Sequence, residues 1–170
     1  MSSKISRGAA KKARVAPIRE IPPPLPLQML RAREAVMRRF RPFLRDLGLN
    51  DQQGRIIRVL AEADQLEMRE LSALTCIHAA SLSRIIPRLV ERGIVRRWKD
   101  EDDARRVVVA IAPGGRSIFK VLARNSERVY AELAAEIGTV RMRDLYRCLD
   151  ALIELDPGLD GLEDLDEAEG

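Results

Sequence analysis

Residues 79–112 read AASLSRIIPRLVERGIVRRWKDEDDARRVVVAIA, and the apolar period changes in the middle of that stretch. Up to Gly93 the spacing is helical: Leu82, Ile85, Ile86 and Leu89 fall on one face, with Ala80, Ser83, Arg84, Pro87 and Arg88 opposite. Beyond Gly93 the period is two. Ile94 to Trp98 and then Val107, Val109 and Ile111 predict two short strands, joined by a polar hairpin from Lys99 to Arg106. A helix whose outer face carries small polar residues and two arginines about one turn apart suits entry into a groove lined by base edges and phosphates.

Outward from this stretch every segment has a helical period. A short helix over Met68 to Leu74 precedes it, connected through Thr75 to Ala79. Before that, Asn50 with Gln53 three residues on forms an N-terminal capping signal for a helix through Ile56, Ile57, Val59 and Leu60, ending in a turn near Ala63 and Asp64. Met29, Leu30, Val36, Met37, Phe40, Phe43, Leu44 and Leu47 predict a long first helix, bent at Pro42 and closed by Gly48. Pro113 is placed as the first residue of a helix to about Ile137. Val140 to Ile153 follows, with Met142, Leu145, Tyr146, Leu149, Leu152 and Ile153 on one face. The expected fold is mainly α with a small β-hairpin wing, a winged helix-turn-helix between long N- and C-terminal dimerisation helices. In such a module the second helix reads the major groove and the hairpin reaches the neighbouring minor groove. The long helices carry more apolar surface than a module of roughly 60 residues covers, so a homodimer is expected. A symmetric dimer would meet a palindrome, its reading helices about 34 Å apart.

The organisation read from the chain is a basic arm (1–24, Pro-ended), a first dimerisation helix (25–49), the winged module (50–112), C-terminal dimerisation helices (113–155) and an acidic tail (156–170). The net charge of +4 conceals an asymmetry. Seven acidic and no basic side chains follow Leu155, leaving 30 basic against 19 acidic in residues 1 to 155, a balance of +11. That body is suited to a polyanion. The two tails read either as solvating segments or, for the arm, as a nucleic-acid contact. With 170 residues, 46% hydrophobic and 33% charged, one globular domain is expected. No run of about 18 apolar residues and no apolar leader region predicts a membrane span or a secretory signal, so a cytoplasmic protein without membrane partners is expected. Cys76, Cys148 and one His lack zinc-site spacing. Six aromatic residues in all argue against a base-stacking platform.

The order of elements, with Gly93-Ile94-Val95-Arg96-Arg97, Asp103-Ala104-Arg105-Arg106 and Ile111-Ala112-Pro113-Gly114-Gly115, resembles the MarR family of dimeric bacterial transcription regulators. Residues 25–42 (LPLQMLRAREAVMRRFRP), Gln52-Gln53 and Cys76-Ile77 before Ser81-Leu82 resemble the branch that represses homoprotocatechuate (4-hydroxyphenylacetate) catabolism. The likeness covers about Leu25 to Leu155. It implies that Arg105 is the wing-tip arginine of the minor groove, with Arg106 beside it as a further DNA contact, that Asp103 orients the wing, and that Ser81, Ser83, Arg84 and Arg88 face the major groove. It also implies a small aromatic carboxylate as effector, bound between the dimer helices and the reading module. Arginine pairs bidentately with a carboxylate, which makes Arg31 and Arg33 the candidates, with His78 behind them. Where that branch has a tryptophan after the glutamine pair this chain has Gly54, which either enlarges a pocket or loosens a helix by ~1 kcal/mol.

The competing assignments are these. Arg31 and Arg33 could instead form salt bridges with acids such as Glu34. Cys76, beside Ile77, reads as a small buried residue, the alternative being a cysteine-based redox-sensing regulator. Trp98 reads as a core or wing anchor. A sequence-indifferent architectural DNA-binding protein is the other alternative to a repressor released from its operator. No Gly-rich phosphate loop, nucleophile elbow or metal cluster points to an enzyme, and no cofactor is expected.

Overall fold

A computed structural model describes residues 24–100, 103 and 105–155. The basic arm up to residue 23, the acidic tail from 156 and three hairpin residues lie outside the described residues. The described chain divides into two units, one ending at Ala35 and the other beginning at Val36. The elements in order are α1 (Leu25–Asp46), α2 (Asp51–Ala63), β1 (Gln65–Glu67), α3 (Met68–Thr75), α4 (Ala79–Glu91), β2 (Val95–Lys99), β3 (Val107–Ile111), α5 (Pro113–Ile137) and α6 (Thr139–Glu154).

Local chemistry explains most of the boundaries. Asn50 and Gln53 form the expected reciprocal capping box: the Gln53 amide donates to Asn50 Oδ1 at 2.9 Å and the Asn50 amide to Gln53 Oε1 at 3.1 Å. The loop after α4 turns at Gly93, whose φ of +64° sits in the left-handed region glycine tolerates. Pro113 occupies the first turn of α5, where an amide donor is not needed. Both α1 and α4 run without a break through Pro42 and Pro87.

The principal core joins the helix-turn-helix to the sheet. Ile56, Ile57 and Leu60 of α2, Leu71 of α3, Leu82, Ile86 and Leu89 of α4, and Val109 of β3 are all fully buried, with Ile77 in the α3–α4 turn and Ile94 before β2. Truncating such a leucine or isoleucine to alanine typically costs about 2–5 kcal/mol, so α4 is held on a rigid base. Phe43 of α1 with Val129 and Leu133 of α5 makes a smaller cluster, joined by Val36, Phe40 and Met142.

The expected hairpin is part of a three-stranded antiparallel sheet in the order β1-β3-β2. Leu66 of β1 faces Val109, and Arg97 of β2 faces the same residue from the other side. A three-residue strand carries too little alternation to announce itself, and β1 exists because β3 offers it an edge.

Two expectations about burial are corrected. Cys76 is exposed: it adopts φ 49°, ψ 47° at the end of α3, which turns its side chain outward while Ile77 enters the core. Trp98 is also exposed, on an edge strand with no buried side chain beyond Val95, so it is not a core residue, while its place opposite Val108 keeps it in the wing. The helix α6 has no fully buried side chain; Val140, Leu145, Tyr146, Leu152 and Ile153 stay exposed in the single chain, as do Leu25, Leu27, Met29 and Leu30 of α1.

Candidate functional site

Two sites are built on this frame. The first is a basic surface. On α4, Ser83, Arg84 and Arg88 are exposed, Ser81 is half-buried, and Leu82, Ile86 and Leu89 anchor the opposite face. Its N-terminal end begins at His78, which is exposed and makes no side-chain cap. Arg96 and Arg97 of β2 and Arg105 of the hairpin are exposed too.

The hairpin geometry is set by Asp103. Its Oδ1 accepts the Arg105 amide at 3.0 Å, its own amide donates to Asp100 Oδ1 at 3.1 Å, and its carbonyl accepts the Arg106 amide at 2.9 Å. Arg106 donates to Glu67 Oε1 at 3.1 Å, so it ties the hairpin to β1, and its Nε lies 3.8 Å from Asp103 Oδ2. Arg105 thus stands on a braced turn, while Arg106 takes part in the bracing.

The second site is a cavity of about 160 Å³ beside α2. Val36, Met37, Phe40, Phe43 and Leu44 of α1 and Leu122 of α5 form its apolar lining. Its polar lining is Asp51, Arg55, Arg58, Ser126 and Tyr130. A cavity of roughly 150 Å³ holds benzene, so one ring with a small substituent fits. Phe40 stands edge-on to Phe43 with centroids 5.6 Å apart and tilted against Tyr130 at 5.5 Å, giving the wall an aromatic face.

The polar groups are oriented by their neighbours. Arg58 Nη2 donates to Ser126 Oγ at 2.8 Å, the serine hydroxyl donates onward to the Leu122 carbonyl at 2.8 Å, and the guanidinium lies 5.9 Å from the Phe119 ring centroid. Among the described residues Arg58 forms no ion pair with a carboxylate. Asp51 is clamped by Arg41, whose Nη2 reaches Oδ2 at 2.9 Å and Nε at 3.2 Å. Tyr146 of α6, though largely exposed, has its phenol pKa raised by partial desolvation and by Tyr130, against which Arg58 acts in the lowering direction. Arg55 Nη1 leaves the cavity wall to bond the Thr75 carbonyl at 2.6 Å.

A family model described as the MarR family matches residues 49–107, the span from the end of the α1–α2 loop to the first residue of β3. The homoprotocatechuate degradative operon repressor of Escherichia coli is 31% identical over 131 residues, covering 77% of this chain and 88% of that protein. The transcriptional regulator FarR of Neisseria gonorrhoeae is 34% identical over 131 residues, covering 77% and 90%. The chain belongs to the MarR family. Among solved structures, NadR in complex with 4-hydroxyphenylacetate superposes with a TM-score of 0.73 at 31% identity, covering 83% of this chain and all of that one. The protein is therefore a MarR-family transcriptional regulator and not an enzyme. No helix among the described residues is long and apolar enough to cross a membrane, and no cluster of potential metal ligands occurs among them.

For this MarR-family chain, the residues expected at a nucleic acid lie on the two exposed elements, α4 and the hairpin. None of the expected effector contacts lines this cavity. Arg31 is exposed in the first unit, Arg33 pairs there with Glu34 at 3.0 Å, and His78 sits at the head of α4. The polar lining residues Asp51, Arg55, Arg58, Ser126 and Tyr130 were not singled out by sequence reasoning. One signal was present: Arg55 and Arg58 stand three apart and so share a face of α2, the one turned away from Ile56, Ile57 and Leu60. In the structure both are half-buried on that face, and a partly buried cation needs a partner.

Proposed function

We propose that the protein is a homodimeric repressor that holds a palindromic operator and leaves it when a small phenolic or aromatic carboxylate enters the α2 cavity. The observation that carries this reading is Arg58, a guanidinium in an aromatic-walled cavity of about 160 Å³, oriented by a buried serine. A carboxylate on Arg58 gains a charge-assisted, potentially bidentate bond. The ring lies against Phe40, Phe43 and Leu44, and Tyr130 or Asp51 meets a phenolic hydroxyl. The complex of NadR with 4-hydroxyphenylacetate supports the ligand class, and the name of the E. coli relative supports an aromatic-catabolic operon.

In this reading Ser81, Ser83, Arg84 and Arg88 meet the major groove, and Arg105 enters the minor groove on the turn that Asp103 and Arg106 brace. The exposed apolar residues of α6 and of the N-terminal part of α1 are covered by a second copy. Arg31 and Arg33 are assigned to that dimer-forming region, with Arg33 held by Glu34. The effector acts by population shift, favouring a dimer whose reading helices are wrongly spaced.

Calorimetric titration of the protein with 4-hydroxyphenylacetate tests the cavity. Binding that weakens at least tenfold in Arg58→Met, with the melting temperature moved by only a few degrees, is expected. Equal binding by the variant would place the carboxylate elsewhere.

A further inference from the structure

The cavity and the turn that carries α4 share one side chain, Arg55. Its position on α2 puts it in the cavity lining, and its Nη1 donates to the carbonyl of Thr75 at 2.6 Å and approaches that of Cys76 at 3.5 Å. These carbonyls close α3, where the partial negative charge of a helix C-terminus gathers and a cation is stabilising. They also open the three-residue turn into α4. Within α3 and the turn, the Ser72 hydroxyl donates to the Ile77 carbonyl at 2.7 Å, the Cys76 amide to Ala73 O and the Ile77 amide to Ser72 O at 3.2 Å each, and Ile77 is buried. Arg55 adds the tie from α2, to a turn where Cys76 sits in the left-handed region, unusual for a residue with a Cβ.

From this we infer that Arg55 is the positioning residue through which an anion in the cavity changes the pose of α4. The inference rests on the effector reading given above and names its regulatory link. Bonds from a guanidinium to a carboxylate are roughly twice as strong as those between neutral groups, and a full charge competes well against a helix end of about half a charge. A carboxylate held by Arg58 brings that charge into the cavity Arg55 also lines. Arg55 then turns toward the anion and releases Thr75 O. The turn loses its tie to α2, and α4 leaves the orientation in which Arg84 and Arg88 meet the duplex. Conversely, an operator that holds α4 in place keeps Arg55 on Thr75 and weakens the anion, as reciprocal coupling requires.

The test reads coupling rather than affinity. Operator dissociation constants of wild type, Arg55→Met and Arg55→Lys are measured with and without saturating 4-hydroxyphenylacetate, and the ratio of the two is compared among the proteins. A wild-type ratio of about 5 to 150 is typical of such coupling, and a fall to within about twofold of unity in Arg55→Met is expected whatever its absolute affinity. A variant ratio equal to a wild-type ratio above unity overturns the inference and leaves the effector reading standing. A wild-type ratio of one, with no binding of the acid by calorimetry, overturns both. Hydrogen exchange on the wild-type protein covers the case in which a variant does not fold: the amides of Cys76 and Ile77 should lose protection several-fold on adding the acid, and unchanged protection there with the acid bound overturns the inference.

Discussion

The side chain of Leu44 lies directly over the backbone of Gly54: a Cβ built on the glycine would come within 2.8 Å of Leu44 Cδ2. Leu44 is buried, at 6% exposure, and both residues line the cavity. The glycine therefore lets α1 and α2 approach closely, and a leucine from the neighbouring helix takes up room that a side chain at position 54 would need.

This contact makes a coupled pair. In a helix interior Gly→Ala gains about 1 kcal/mol, while overpacking a core costs about 1–3 kcal/mol. Gly54→Ala should therefore change stability little or lower it by up to about 2 kcal/mol. In a Leu44→Ala background the conflict is gone and the same substitution should stabilise by about 1 kcal/mol. Urea denaturation of the four proteins gives the interaction energy, and strictly additive effects would show that the two helices separate freely.

The wing offers a second test. Arg105 is exposed on a turn held by Asp103, so Arg105→Ala should weaken operator binding about tenfold, reduce the salt dependence by about one phosphate equivalent, and leave the melting temperature within a few degrees. Arg106→Ala should act differently. It removes the link to Glu67 and loosens the hairpin, so its effect should also be seen as faster hydrogen exchange in β1. Identical behaviour of the two variants would contradict the division of roles.

Oligomerisation can be checked on α6. Leu145 and Ile153 are exposed at 48% and 67% in the single chain. If α6 forms the proposed dimer, replacing both by aspartate should give a monomer in light scattering and reduce operator affinity steeply, because a symmetric site needs two reading heads. A dimer that survives the double substitution would move the interface elsewhere.

Arg39 and Glu136 form a two-bond clamp between α1 and α5, with distances of 2.8 and 2.6 Å. The bonds from Arg39 hold the Glu136 carboxyl below its ordinary pKa of 4.5. A depressed folded-state value means that the clamp contributes fully above the unfolded value and is lost as pH falls below about 4.5 through the lowered one. The difference in melting temperature between wild type and Glu136→Gln should therefore be largest near neutral pH and shrink in acid. A difference independent of pH from 3 to 7 would show that the carboxylate charge contributes nothing. The pair is solvent-exposed, so high salt should also reduce the effect.

The fold was legible where one period persisted over many residues. The helix from Pro113 to Ile137 is signalled at its start by a proline that needs no amide partner there. The capping box at Asn50 is a local device and needs no tertiary context. What escaped depends on neighbours distant in sequence. Gln65-Leu66-Glu67 becomes a strand only against β3, some forty residues on. The outward turn of Cys76 follows from its left-handed backbone, which Ile77's burial makes useful and which no spacing rule announces. The cavity was missed because its walls come from α1, α2 and α5, and because the arginines singled out were on the arginine-rich first helix rather than on the polar face of α2.

The central claim is that this regulator reads one duplex and releases it for an aromatic acid. Fluorescence anisotropy of a duplex from the gene's own upstream region against a scrambled duplex, at fixed salt and then with 4-hydroxyphenylacetate, tests it most directly. The account predicts a preference of about 10³ or more for the upstream duplex, abolished or reduced at least fivefold by the acid. Equal affinity for both duplexes, unmoved by the acid, would contradict it and leave a sequence-indifferent DNA-binding protein.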